Sequence, residues 1–201
     1  MKALGIRFFF FAGALSCALG SSAYATFSTL LTMDDLPLQP VHGLAHPSGV
    51  EFAFTVGGAG SNDANYASGG PESITFVQDP SIEGNSAGIL FVNFPGPANV
   101  VRFGVARSVP GTSSATVELF NAANVSLGAQ NLALTAMPMF AEGLFSHRGQ
   151  AVSRFTLSFP GQVSRFAFDN LFFQIVPEPG SIALAGMGIG IVALRGRRRC
   201  V

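Results

Sequence analysis

The chain has 201 residues, 48% of them hydrophobic, and 11 basic against 11 acidic side chains. The charges are segregated: residues 26–176 hold ten carboxylates, five arginines and no lysine, a balance of −5. An acidic body cannot neutralise a phosphate backbone, so nucleic acid is not an expected partner, and with cysteine only at Cys17 and Cys200 the body has no internal disulfide, thiolate zinc site or cysteine nucleophile.

The first segment reads as a secretory signal peptide over residues 1–25. Lys2 and Arg7 form a basic n-region, Phe8 to Leu15 an apolar run, and Ala23-Tyr24-Ala25 a small-residue cleavage site. The run is too short to span a bilayer. Cys17 fits a lipoprotein site poorly, because Ala14 stands where a large aliphatic residue is wanted. Signal peptidase is thus an expected partner, and the expected location is outside the cytoplasm.

Residues 26–176 alternate apolar and polar side chains with period two, the signature of half-buried strands. Expected strands are Phe27–Thr32, Val50–Val56, Ser73–Val77, Ile89–Phe94, Val100–Ala106 and Ala115–Phe120. Val125–Leu127, Gln130–Leu134, Met139–Phe145, Val152–Phe159, Val163–Phe168 and Phe172–Val176 follow. Gly57-Gly58, Gly69-Gly70-Pro71, Pro95-Gly96-Pro97 and Pro110-Gly111 punctuate them as turns, and Pro160-Gly161 reads as a hairpin. Many short strands without a sustained helical period predict an all-β domain, a β-sandwich or jelly roll. Sixteen phenylalanines can fill its core without polar partners.

Three constellations carry candidate chemistry. Asp34-Asp35 near the start and Asp169-Asn170 near the end meet if the first and last strands pair, and their oxygens suit a structural calcium ion; otherwise they are turn residues bonding local backbone. The loop from Gly57 to Glu72 holds Asn62, Asp63, Asn65 and Tyr66 and is a candidate ligand loop, with Tyr66 the residue to stack on a sugar. His42 and His46 have a metal-like spacing, but Gly43 and Pro47 oppose a helix, and His147 is isolated. No nucleophile elbow or phosphate-cradling loop is present, and no spacing pairs two carboxylates for glycoside hydrolysis, so an enzyme is not expected.

The C-terminal segment, residues 177–201, has three parts. Pro177-Glu178-Pro179 ends the last strand, because two prolines remove backbone donors. Ser181 to Leu194 is uncharged and apolar, and Arg195, Arg197, Arg198 and Arg199 close the chain. The arginines should stay cytoplasmic. The apolar run, as a helix, reaches about 21 Å, short of the ~30 Å hydrocarbon core, a deficit that snorkelling arginines reduce.

This order resembles the PEP-CTERM sorting tail of Gram-negative bacteria. The resemblance implies recognition of Pro177-Glu178-Pro179 by a membrane-embedded exosortase, a transient hold in the inner membrane, and delivery to the cell surface or extracellular matrix. Val100 to Val105, Thr116 to Ala122 and Arg165 to Leu171 are similar to β-sandwich domains carried by such proteins, some of which look like carbohydrate-binding jelly rolls. The reading is therefore an exported, surface-sorted, non-catalytic component of an extracellular polysaccharide (biofilm) matrix. The alternatives are a dedicated carbohydrate-binding module or, further off, an extracellular glycan hydrolase.

Overall fold

The computed structural model describes residues 27–70, 74–109, 111–136 and 139–176. The expected signal peptide, sorting tail and C-terminal helix lie outside the described residues. Among the described residues, twelve strands form one hydrogen-bonded sheet. They are β1 (Phe27–Leu31), β2 (Gln39–Pro40), β3 (Leu44–Ala45), β4 (Glu51–Val56), β5 (Ala59–Gly60) and β6 (Asn65–Ser68). β7 (Ser81–Asn85), β8 (Gly88–Arg107), β9 (Ser113–Phe120), β10 (Ser126–Ala136), β11 (Ala141–Ser158) and β12 (Arg165–Ile175) complete it. The all-β expectation holds.

Two long strands turn the sheet into two layers. The first half of β8 pairs with β4 and with the last residues of β11, beside β9 and β10. The second half of β8 pairs with the first half of β11 and with β12, which is flanked by β7 and β1. The crossing in β8 falls at Pro95-Gly96-Pro97, where prolines have no N–H to give a ladder. In β11 it falls at register shifts between Arg148 and Arg154, past Gly149 in a positive-φ conformation (φ 140°). Strands expected as separate pairs, Ile89–Phe94 with Val100–Ala106 and Met139–Phe145 with Val152–Phe159, are therefore single bent strands.

Phenylalanine closes the layers on each other. Phe103 of β8 packs on Phe145, Phe155 and Phe168 with ring centroids 4.8, 4.7 and 5.0 Å away. Phe94 reaches Phe155 and Phe173, and Phe54 reaches Phe166. Tilted and offset rings at these distances are favourable beyond the area they bury.

Three expectations are corrected. Ile74–Val77 is not a strand: residues 74–78 lie irregularly against the outside of the second layer, with Val77 and Ile74 packed on Ala106 and Ala167. Ser73 lies outside the described residues. Pro160-Gly161 does not make a hairpin, because β11 and β12 are not neighbours; β8 lies between them. The Gly57–Glu72 loop contains β5 and β6, its backbone groups being drawn into pairing with β4, β2 and β7.

The two ends of the sandwich differ in what leaves them. Phe27 of β1 pairs with Ile175 of β12, and the Val176 N–H donates to Pro97 O at 3.2 Å. The chain therefore enters and leaves the domain side by side. Along β8, Arg107 is nine residues from Ala98, which pairs with Ile175, so it marks the opposite end about 30 Å away.

Candidate functional site

The residues expected to hold calcium make hydrogen bonds with the protein's own groups. Asp35 accepts the Tyr66 hydroxyl on Oδ1 at 2.6 Å and the His46 ring on Oδ2 at 2.7 Å. Because His46 Nδ1 accepts the Ser48 backbone N–H, Nε2 carries the proton given to Asp35. The Ser48 hydroxyl also meets Nδ1, at 2.8 Å, and the row Ser48–His46–Asp35–Tyr66 is a clasp joining two loop segments to β6. Burial would raise the Asp35 carboxyl, but the Tyr66 hydroxyl and His46 outweigh it and hold it below its ordinary value. Asp34 accepts the Thr32 hydroxyl at 2.6 Å.

Asp169 is buried on the outer side of β12, 1% exposed. Its Oδ2 accepts the Gln78 N–H at 2.9 Å and the Asn170 side-chain amide at 3.0 Å, while Oδ1 accepts the Asn170 N–H at 2.6 Å. Burial pushes its carboxyl up to about 6, against those hydrogen bonds, and Asp34 and Asp79 add repulsion. Glu142, also buried, accepts the Thr75 and Phe76 N–H groups at 3.3 and 2.9 Å. The two carboxylates clamp residues 74–78. Among the described residues no three His, Cys, Asp or Glu side chains gather as a metal site. Asp34 stands near enough to Asp169 to repel its carboxylate.

The candidate ligand loop is partly internal. Tyr66 has no exposed surface and packs on Phe52 and His46, so it is not a stacking platform for a sugar. Burial and the bond to Asp35 push its hydroxyl far above the ordinary range. Asn65 pairs within the sheet, Asp63 makes a 3.0 Å ion pair with Arg165, and Asn62 is exposed. His42 accepts the Phe54 N–H and His147 lies 2.9 Å from Gln150 O.

At the end opposite Phe27 and Val176 lies a cavity of about 550 Å³, lined by Arg107, Val109, Thr112, Ser113, Ser114, Pro160, Gly161 and Gln162. Arg107 sits on the inward-facing phase of β8, with Val101, Phe103 and Val105, and is 4% exposed. Its guanidinium donates to Ser164 Oγ (3.1 Å), Ser113 Oγ (2.9 Å), Pro160 O (2.9 Å) and Gln162 O. Phe159 packs under it, 5.6 Å from ring centroid to Cζ. Every one of these acceptors is neutral, and no ion pair among the described residues includes Arg107. Burial lowers its pKa. The result is a rigid cation walled by hydroxyls and a side-chain amide, the groups that exchange hydrogen bonds with a polyol or a carboxylate. The periodicity of Val101 to Arg107 carried the signal: a charge on the apolar face of a strand.

A second feature lies on the outer face of the second layer, toward the end that holds Phe27 and Val176. It is a groove of about 400 Å³ lined by Val100, Arg102, Leu144, Ser146, Arg148, Phe172 and Gln174.

Comparison with known proteins places the PEP-CTERM protein-sorting motif at residues 176–199. The motif is an exosortase recognition signal, and a chain bearing it is exported and anchored in a membrane through its C-terminal region before processing. No curated protein matches the chain in sequence. Among solved structures, a carbohydrate-binding module of family 29 aligns at 10% identity and TM-score 0.41, covering 74% of this chain and 88% of that one. A CBM29-2 mutant complexed with mannohexaose aligns at 10% identity and TM-score 0.41, over 74% and 92%.

Proposed function

We propose that the protein is a non-catalytic adhesive component of an extracellular polysaccharide matrix, and that it grips saccharide at the cavity around Arg107. One observation carries the reading: the cavity, walled by hydroxyls, an amide and a buried guanidinium, lies at the end of the sandwich remote from Val176, where the sorting motif begins. While the tail holds the chain at a membrane, that end is the one presented outward. Thr112, Ser113, Ser114 and Gln162 offer donors and acceptors to sugar hydroxyls. Ser113 already accepts from Arg107, so its own proton is free to be given away. A cavity of about 550 Å³ falls in the usual range for small-ligand sites.

The test is co-sedimentation of the full-length chain, in mild detergent, with exopolysaccharide from the producing organism, with and without EDTA. Saturable binding that is lost in Thr112→Ala/Gln162→Ala supports the reading. Binding abolished by EDTA brings a divalent ion into it, and Asp34, Asp35 and Asp169 are then the residues to vary. No sedimentation in either buffer overturns it in favour of a passive surface protein.

A further inference from the structure

We propose that the groove face near the chain termini is a docking surface for an anionic phospholipid bilayer, against which the domain rests while its tail is inserted. The first support is where the tail begins. The Val176 N–H bonded to Pro97 O holds the chain to the fold as far as the residue before Pro177. Gln174 and Phe172, two and four residues earlier, line the groove. At the rise of a strand they lie about 7 and 14 Å from the point where the tail departs. A bilayer entered by that tail is within reach of this face.

Charge complementarity is the second support. Arg102 and Arg148 are exposed, line the groove, and enter none of the ion pairs found among the described residues. No carboxylate lines the groove with them. In a body of charge −5, an anionic surface repels most orientations and accepts the one that presents these guanidiniums. The apolar part matches. Phe172 is half-buried, Leu144 is 38% exposed, and Leu30 of β1, opposite Phe172 in register, is 56% exposed. Basic groups beside exposed apolar side chains are what a headgroup–acyl boundary receives.

The chain contains no tryptophan, so an introduced one reports alone. Leu30→Trp places it on the groove face and Val163→Trp on an exposed loop at the far end, where Val163 is 60% exposed. The full-length chain is reconstituted into vesicles of phosphatidylcholine alone or with phosphatidylglycerol, each with brominated acyl chains. Quenching of the Leu30→Trp reporter is expected in phosphatidylglycerol vesicles only. It should weaken about fivefold for each arginine lost in Arg102→Gln and Arg148→Gln, fall in 1 M salt, and be absent for Val163→Trp. Equal quenching of both reporters, or quenching indifferent to lipid charge and to the two arginines, overturns the proposal. So does a Leu30→Trp spectrum that responds to soluble polyuronate and not to vesicles, which would give the face to an acidic glycan. Circular dichroism melts that match the parent chain establish that the variants are folded.

Discussion

The carboxylate of Asp169 accepts the backbone N–H of Gln78 at 2.9 Å, ninety-one positions away in the chain. The bond fastens an irregular segment to the outside of a sheet, and it does so with a group that burial keeps partly protonated.

Stability should therefore depend on pH in a definite direction. The Asp169 carboxyl is raised from 3.8 to about 6 on folding. The folded state then holds a proton that the unfolded state has released, so this contribution is full below about pH 4 and is lost as pH rises through about 6. The difference is on the order of 3 kcal/mol. Asp35, held below its ordinary value, acts oppositely: its contribution is present above about pH 4 and is lost as the pH falls further. Urea unfolding between pH 4 and 7 should show stability falling with pH, and Asp169→Asn should flatten that slope. An unchanged slope in the variant would assign it to other groups.

Tyr66 should matter to folding and not to binding. Tyr66→Phe removes the bond to Asp35 while keeping the ring in the core, and about 1–2 kcal/mol should be lost. Tyr66→Ala should lose about 3–5 kcal/mol through the cavity it leaves. Glycan affinity per folded molecule should stay constant in Tyr66→Phe; a drop of tenfold or more would return this residue to the binding surface.

Gly104 is the floor on which residues 74–78 lie. A Cβ there would collide with the carbonyl of Phe76, which Glu142 holds in place from the neighbouring N–H. Gly104→Ala should cost about 1–3 kcal/mol and open the segment to protease. Mass mapping of early cleavage products would show new cuts confined to residues 74–78 if the geometry is right.

Arg107 organises the cavity through a fan of bonds that a lysine cannot reproduce. Arg107→Lys keeps the charge but loses the fork that reaches Ser113, Ser164 and two carbonyls together. A loss of about 1–3 kcal/mol is expected, with at least tenfold weaker glycan binding. Gln162→Ala should weaken binding while sparing stability, and parallel melting and binding curves would separate the two roles.

Much of the strand pattern was legible because each strand buries one face. Val50 to Val56 and Phe155 to Phe159 show their inward residues at every second position, and those residues are buried at Val50, Phe52, Phe54, Phe155 and Leu157. β7 was missed because Ser81-Ile82-Glu83-Gly84-Asn85 has little apolar content, and it is a strand because β12 and β6 bond it on both sides. Residues 74–77 look like a strand by composition, but the Thr75 and Phe76 N–H groups go to the Glu142 side chain and that of Ile74 to Val77 O, so these three join no strand ladder. The Arg107 cavity is not visible as a site in the sequence, since Thr112, Ser113 and Ser114 fall between the Pro110-Gly111 turn and the expected strand from Ala115, and nothing local brings Pro160 to Gln162 against them.

By itself, the sequence determined the class of fold and the presence of the sorting motif. Alternation of side chains and a contiguous Pro-Glu-Pro, apolar run and arginine cluster are local properties that need no partner to be recognised. Only the tertiary structure decided that Tyr66 is internal, that Asp35 belongs to His46 and not to Asp169, and that a charge on an inward position opens a polar cavity far from the tail. Those outcomes depend on which distant strands pair and where two long strands bend between layers. Burial, hydrogen-bond partners and electrostatic environment follow from pairings between residues tens of positions apart, and no local pattern encodes them.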